Sequence, residues 1–192
     1  MHEQIRIGTA PMILRDSQRS SQIERAKRDP AAFAALYREY AVRVYRYIYA
    51  RVSNHQDAED LTSQVFEAVL NGLDRFGGRR NFSAWVFTIA RNKVVDSYRK
   101  RSLNLLLDDI QNVPEEYSDP LNIILDGEDL SQLADLVNEL DAGKQELIHL
   151  RFAAELTYAE IGEVVGKSEG AVKMSIHRLL DQLQEKMEQI NE

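Results

Sequence analysis

The sequence contains no cysteine, which excludes disulfide bonds and thiolate metal sites and is typical of a reducing compartment. Its four histidines, His2, His55, His149 and His177, are too scattered to predict a metal cluster. No apolar run approaches the roughly 20 residues of a membrane-spanning helix, and the first residues lack the charged-then-apolar order of a signal peptide. We therefore expect a cytoplasmic protein without membrane insertion.

Motifs of catalysis are also lacking. There is no glycine-rich phosphate loop, no catalytic triad and no metal-ligand spacing. We expect a protein that is not an enzyme and binds no cofactor.

Strand-type alternation is absent, whereas helical periodicity is widespread. The 192 residues are 44% hydrophobic, which suits one or two small domains. Asp-Pro pairs at 29–30 and 119–120 each predict a helix start, with Asp as the cap and Pro at the first position. Apolar residues then recur at spacings of three and four after residue 30, from about Asp57 and from about Ser83. The predicted class is all-α.

The predicted architecture is two small helical domains joined by a flexible acidic linker. The linker lacks a sustained apolar period, contains Pro114 and has no positive charge. We predict a weakly ordered N-terminal extension at 1–28, a first domain at 29–101, the linker at 102–118 and a second domain at 119–192.

Charge is uneven along this chain of net charge -7. Residues 1–101 hold 18 Lys and Arg against 11 Asp and Glu, whereas residues 119–192 hold six against 16. Eight of the basic residues fall within 75–101, where one acid accompanies them. Aromatic residues are interleaved there, a pattern that predicts binding of unstacked bases and their phosphates. The alternative is a solvated amphipathic helix with an aromatic core face.

Residues 157–180 have the layout of a helix-turn-helix. Thr157 caps a short helix, Gly162 allows close approach of the second helix, Gly166 forms the turn, and Ser168 caps the second helix. The second helix would enter a major groove, and its candidate DNA contacts are Ser168, Lys173, Met174, His177 and Arg178. The alternative is an ordinary helical hairpin with solvated charges. Since the unit is electrically neutral, it should bind DNA poorly alone.

Four segments together resemble the sigma-70 family of bacterial transcription initiation factors, in its two-domain extracytoplasmic-function (ECF) group. DPAAFAALYREY, DAEDLTSQVF and FSAWVFTIARNKVVDSYRKR look like region 2, and LTYAEIGEVVGKSEGAVKMSIHR looks like region 4. The resemblance covers about residues 29–188. It implies an RNA polymerase sigma factor that binds core polymerase, recognises the −10 and −35 promoter elements and promotes DNA opening. For many relatives it also implies an anti-sigma factor as inhibitor.

The resemblance assigns roles to two groups of residues in the first domain. Polymerase binding falls on Asp57, Glu59, Asp60 and Gln64, whose alternative role is to complement the helix dipole. Capture of the unpaired −10 strand falls on the loop and helix residues Arg79, Arg80, Asn81, Phe82, Arg91, Asn92 and Arg99. Aromatic residues at helical spacing usually pack inward, so Phe82 and Trp85 are also expected in the core.

Two other functions fit the pattern less well. One is a helix-turn-helix regulator that binds duplex DNA without polymerase, and the other is a helical adaptor that binds only protein. The linker also has two interpretations, as a segment inside the polymerase channel or as a disordered tether.

Overall fold

The computed structural model describes residues 16–77, 81–107 and 128–190, and within them it is helical without strands. The predicted all-α class with two small domains is confirmed. The helices are α1 (Asp16–Ala26), α2 (Pro30–Val52), α3 (His55–Gly72), α4 (Phe82–Leu107), α5 (Glu128–Asn138), α6 (Ala142–Ile148), α7 (Tyr158–Val165) and α8 (Glu169–Ile190). A 3-10 turn at Leu73–Arg75 follows α3, and a π-helical turn at His149–Ala153 continues α6.

The start of α2 follows the predicted capping chemistry. The Asp29 carboxylate accepts the amide N–H of Ala31 at 2.9 Å, and Pro30 occupies the first helical position. The helix ends at Ser53, whose backbone is left-handed and whose N–H donates to the Tyr49 carbonyl at 2.9 Å. These contacts satisfy backbone groups that the helix ends would otherwise leave unpaired.

The core of the first domain lies between α2, α3 and α4. Its largest fully buried side chains are aromatic or aliphatic, and each contributes roughly 1.5–3 kcal/mol through burial. They include Leu36, Tyr40, Val44, Tyr47, Ile48, Val65, Leu73 and Phe87. The Tyr40 hydroxyl lies 3.0 Å from the Ser83 hydroxyl inside this core.

A helix precedes this core where the sequence predicted weak order. Within 1–28, α1 spans Asp16–Ala26, and both Ile23 and Ala26 are buried against the first domain. Lys27 Nζ donates to the Phe76 carbonyl at 3.3 Å. The structure differs from the predicted weak order at this helix, which packs through these two buried apolar side chains; residues 1–15 lie outside the described residues.

The last helix of the first domain is longer than expected. Helix α4 continues to Leu107, six positions beyond the predicted boundary at residue 101. Residues 108–127 lie outside the described residues, and with them most of the predicted linker and both of its interpretations.

The second domain contains the predicted helix-turn-helix. Thr157 and Glu160 form a reciprocal capping box at the start of α7, and Gly166 ends it with a left-handed backbone at φ 71°. The Ser168 hydroxyl accepts the Ala171 N–H at 3.3 Å at the start of α8. A Cβ on Gly162 would lie 2.6 Å from the Lys167 carbonyl oxygen, so the backbone approaches Gly162 as closely as the sequence predicted.

Candidate nucleic-acid interface

One stripe of α4 presents polar side chains, while its opposite face is buried. Val86, Ala90 and Val94 are fully buried, as the helical period predicted. On the outer side Asn92 is exposed, and the Arg99 side chain is 77% exposed and lies 3.7 Å from Asp96. Because the ion pair between Arg99 and Asp96 is long and exposed to solvent, it is weak, and Arg99 remains able to bind an anion.

The loop before α4 is only partly described. Arg79 and Arg80 lie outside the described residues. The side-chain oxygen of Asn81 accepts the Ala84 N–H at 3.3 Å, so this residue caps α4. The backbone N–H of Asn81 donates to Glu163 of α7 at 3.2 Å. The second domain therefore touches the loop assigned to strand capture.

The aromatic side chains near this loop form a cluster, and its main ring faces inward. The Phe82 ring is 5.4 Å from both the Tyr40 and Phe76 rings, and Trp85 is 4.8 Å from Phe76. Phe82 is 4% exposed, whereas Trp85 is partly buried. Phe82 thus anchors the loop. In this arrangement its ring is not exposed, as the predicted contact with a base would require.

The acidic residues of α3 are divided between solvent and an internal ion pair. Glu59, Asp60 and Gln64 are exposed. Asp57 instead pairs with Arg101 at the far end of α4. A polymerase surface on α3 therefore has three exposed predicted members, and Asp57 also ties two helices together.

The outer face of α8 is open to solvent. Lys173, His177 and Arg178 are exposed, and Met174 is 55% exposed. The inner face, with Val172 and Ile176, is fully buried. The His177 ring lies 6.2 Å from Tyr158 of α7. The predicted division of this helix into inner and outer faces is confirmed.

A buried carboxylate between the domains is a feature that the sequence reasoning missed. The Glu146 side chain is 8% exposed, accepts a hydrogen bond from the Tyr47 hydroxyl at 2.8 Å and pairs with Arg51. Arg91, one of the predicted strand-binding residues, lies 3.5 Å from the same carboxylate. The one sequence signal for the burial of Glu146 was its position four residues before the buried Leu150, because this spacing places both residues on one helical face.

Burial shifts the pKa of two side chains, Tyr47 and His149, that both interact with the charge of Arg51. Burial raises the pKa of Tyr47 from an ordinary value of 10, at which the hydroxyl is already a donor at neutral pH, to about 12. Burial, and secondarily the charge of Arg51, lower the pKa of His149 to about 4. The interface is therefore formed with neutral tyrosine and neutral histidine.

Two further searches cover the described residues only. Among them, no group of three or more His, Asp or Glu side chains is placed to hold a metal ion. In the same ranges no helix has the length and apolar character needed to cross a membrane.

Comparison with known protein families gives two matches in order along the chain. The model of Sigma-70 region 2 matches residues 36–103, and the model of Sigma-70, region 4 matches residues 136–185. The first covers α3 and most of α2 and α4, and the second covers the helix-turn-helix.

Similar proteins carry consistent names. ECF RNA polymerase sigma factor BldN of Streptomyces coelicolor is 38% identical over 85% of this chain, which spans 64% of that protein. ECF RNA polymerase sigma factor SigW of Bacillus subtilis is 30% identical over 84% of this chain and 90% of its own length. A solved structure of CnrH with the cytosolic domain of CnrY aligns with a TM-score of 0.64 at 25% identity, covering 88% of this chain and 96% of that one.

Proposed function

The chain belongs to the sigma-70 family, in its extracytoplasmic-function group, and we propose that it acts as a promoter-specificity subunit of bacterial RNA polymerase. In this role it binds core polymerase, recognises the −10 and −35 elements and promotes DNA opening. The observation that carries the proposal is the presence of region 2 and region 4 in one chain, in that order, within two packed helical domains.

Region 2 is proposed to open DNA by capture of unpaired bases. The α4 stripe offers Arg91, Asn92 and Arg99, and the preceding loop adds Arg79 and Arg80. Cationic side chains hold the phosphates of a strand that has left the duplex. Binding the strand draws the melting equilibrium forward without nucleotide hydrolysis, so the protein needs no catalytic centre of its own.

Region 4 is proposed to read the duplex −35 element through α8. Ser168 stands at the start of that helix, and Lys173, Met174, His177 and Arg178 lie on its exposed face. Residues 157–180 carry three basic and three acidic side chains, so counterion release adds little affinity. Recognition therefore depends on polymerase, which brings region 4 to the promoter.

The exposed part of α3 is proposed as the polymerase contact. Glu59, Asp60 and Gln64 face solvent there, and an acidic helix suits a basic partner surface. The proposed location is the cytoplasm, because bacterial RNA polymerase acts there. An anti-sigma factor is a further proposed partner, as the family resemblance implies for many relatives.

Transcription with purified core polymerase on a pool of genomic fragments tests the function. Specific start sites should appear only when this protein is added. Absence of initiation from every fragment would favour an adaptor that binds only protein. Tight binding to promoter duplex without polymerase would instead indicate a conventional regulator.

A paired variant separates DNA opening from polymerase binding. Arg79→Ala with Arg80→Ala should lower initiation on duplex promoters at least about tenfold, because charge-assisted contacts contribute roughly 1.5 kcal/mol or more each. A template that is already unpaired at the −10 element should restore much of the loss. Arg25→Ala with Arg38→Ala removes the same charge from exposed positions of α1 and α2 and serves as control. An equal loss of polymerase binding would contradict the assignment.

A further inference from the structure

The loop assigned to strand capture, residues 77–81, which we call the capture loop, follows a residue whose backbone and ring are both held. The Phe76 N–H donates to the Leu73 carbonyl at 3.0 Å, and the Phe76 ring is buried. The Phe76 carbonyl accepts a hydrogen bond from Lys27 Nζ at 3.3 Å. The next residue, Gly77, is exposed and has open space around its Cβ position. These contacts therefore fix the chain at the point where the capture loop begins.

The other end of the capture loop is fixed by the start of α4. The side-chain oxygen of Asn81 caps that helix, and the Phe82 ring is buried. The Phe76 and Phe82 rings are 5.4 Å apart and meet edge to face at 88°, while Trp85 lies 4.8 Å from Phe76 and 5.6 Å from Phe82. Such contacts favour defined ring geometries. These three rings, which we call the aromatic cluster, therefore join the two ends of the capture loop.

Lys27 reaches this cluster from outside residues 36–103, which the region 2 match covers. It directly follows α1, and its backbone N–H donates to the Ile23 carbonyl at 3.2 Å, so the docking of α1 places it. Its side chain is 16% exposed, and its ammonium lies 2.6 Å from the Glu24 carboxylate. Because a carboxylate already offsets its charge, Lys27 is better suited to holding the Phe76 carbonyl than to binding a phosphate.

We propose that Lys27 is a positioning residue for base capture: it fixes the Phe76 carbonyl and, through the aromatic cluster, sets the geometry in which the capture loop receives an unpaired base. The inference rests on the proposed function and deepens it, because it gives α1 a part in recognition of the −10 strand. Contacts to base edges carry sequence preference, whereas phosphate contacts supply much of the affinity. Loss of Lys27 should therefore lower the preference among bases more than the total affinity.

Binding of single-stranded oligonucleotides to core polymerase loaded with this protein tests the proposal. Four oligonucleotides carry the −10 sequence of a mapped start site and differ only at the position where the wild type prefers one base most strongly. Lys27→Met keeps the aliphatic stem and removes the donor, so it should lower that preference about threefold to tenfold, the range expected for one hydrogen bond. Lys27→Arg supplies a donor again and should restore most of it. An unchanged preference in Lys27→Met would overturn the proposal.

The salt dependence of binding separates positioning from a direct phosphate contact. Loss of one phosphate contact lowers the slope of log K against log salt concentration by about 0.7 for a single strand. Lys27→Met should leave this slope unchanged while the base preference falls. A lower slope with an unchanged preference would identify Lys27 as a phosphate ligand and overturn the proposal.

Removal of the neighbouring carboxylate gives an independent check. Glu24→Gln should leave the affinity for all four oligonucleotides within about twofold, because an ion pair with an exposed partner contributes little to holding Lys27. A larger gain in affinity for all four would show that Lys27, freed from Glu24, binds phosphate, and would contradict the positioning role.

The single tryptophan of the chain reports the aromatic cluster in the free protein. Trp85 packs on Phe76, whose carbonyl Lys27 holds. Lys27→Met should therefore increase the quenching of Trp85 fluorescence by acrylamide, and Lys27→Arg should not. Arg25→Met removes the same charge from an exposed position of α1 and should alter neither the quenching nor the base preference. Equal quenching in Lys27→Met and wild type would show that Lys27 does not hold the cluster, and the proposal would fail.

A second variant disturbs the aromatic cluster without altering Lys27. A Cβ on Gly72, at the end of α3, would lie 3.0 Å from Cζ2 of Trp85, so the indole ring must shift. Gly72→Ala should therefore increase the quenching and lower the base preference, again with an unchanged salt slope. Gly170→Ala makes the same change in α8, where the Cβ position is open, and should alter neither. Increased quenching with a wild-type base preference in Gly72→Ala would mean that the cluster does not position the capture loop, and the proposal would fail.

Transcription with core polymerase distinguishes failure of this inference from failure of the proposed function. If the wild type directs initiation and Lys27→Met keeps the full base preference, the proposed function stands and the positioning role is lost. If the wild type never directs initiation, the proposed function fails, and the role of Lys27 in base capture fails with it.

Discussion

Single side chains of the second domain form hydrogen bonds and ion pairs with residues of the first domain. Glu146 stands in a short helix among apolar residues, yet its carboxylate meets Tyr47, Arg51 and Arg91 from two other helices. A buried charge is tolerated only when it is paired and hydrogen-bonded. The hydrogen bond and ion pairs that stabilise this carboxylate therefore come from the first domain.

Gly162 is the residue at which backbone packing leaves no space for a side chain. A Cβ there would lie 2.6 Å from the Lys167 carbonyl oxygen. We predict that Gly162→Ala lowers the free energy of unfolding by about 2–3 kcal/mol, because the helix-turn-helix must spread to accept it. Urea unfolding followed by circular dichroism measures the change.

Gly170 provides the matched control for this substitution. It lies in α8 with open space around its Cβ position. Gly170→Ala should be neutral or stabilising by up to about 1 kcal/mol, since alanine loses less backbone entropy in a helix. Equal losses in both variants would show that the contact with the Lys167 carbonyl oxygen does not account for the loss at Gly162.

His149 predicts a dependence of stability on pH. Burial, and then Arg51, lower its pKa to about 4 from an ordinary value near 6.5. The unfolded chain therefore binds a proton more readily, so the contribution is complete above about pH 6.5 and is lost as pH falls toward 4. The loss at pH 4 is up to about 3 kcal/mol.

The variant His149→Gln isolates this contribution. Unfolding free energies of wild type and variant, measured between pH 7 and pH 4, should converge as the pH falls because glutamine does not titrate. Parallel curves would mean that carboxylates alone set the acid sensitivity of the protein.

At the scale of elements, α1 is an integral part of the first domain even though it precedes residue 36, where the region 2 match begins. Ile23 and Ala26 are both 4% exposed, and Arg19 pairs with Glu39 of α2 at 2.6 Å. Its eleven residues are too few for a stable isolated helix. Docking against α2 supplies the stability that its sequence lacks.

Truncation of one buried side chain measures that docking. Ile23→Ala should lower the free energy of unfolding by about 2–4 kcal/mol through lost burial and a residual cavity. Ser21→Ala on the exposed side of α1 is the control and should change it by less than about 0.5 kcal/mol. Thermal and urea unfolding of both variants decide whether α1 folds with region 2.

At the scale of the whole molecule, contacts between α2 and the π-helical turn, and between α4 and α7, hold the two domains together. The same α4 carries the proposed strand-binding stripe, and α7 reaches the capture loop through Glu163. The packing of the two domains against each other therefore affects how accessible the proposed strand-binding stripe and the capture loop are.

Tyr47→Phe tests this joint arrangement without altering a charge. It removes the 2.8 Å hydrogen bond from the hydroxyl to Glu146. A hydrogen bond to a charged group contributes about 1.5 kcal/mol or more, so the ratio of separated to packed domains should rise about tenfold. Because the sequence has no cysteine, dyes on Ser63→Cys of α3 and Gln182→Cys of α8 report the distance between the domains. Tyr40→Phe breaks a hydroxyl contact with Ser83 inside the first domain and should leave the distance unchanged.

Short-range sequence patterns account for the local structure and the family. Caps such as Asp29 and Thr157, the glycines of the helix-turn-helix and the faces of α4 and α8 follow from contacts within a few residues, which spacing and side-chain chemistry encode directly. The same local segments carry the resemblance to regions 2 and 4, and the family matches agree with it.

Contacts between these helices could be known only from the folded structure. Contacts of Glu146 with Tyr47, Arg51 and Arg91 join residues far apart in the chain, and no periodic pattern encodes such distances. The docking of α1 and the inward turn of Phe82 likewise depend on the space that other helices leave. Charge asymmetry along the sequence indicated two unlike halves, and packing pairs acidic residues of one half with arginines of the other.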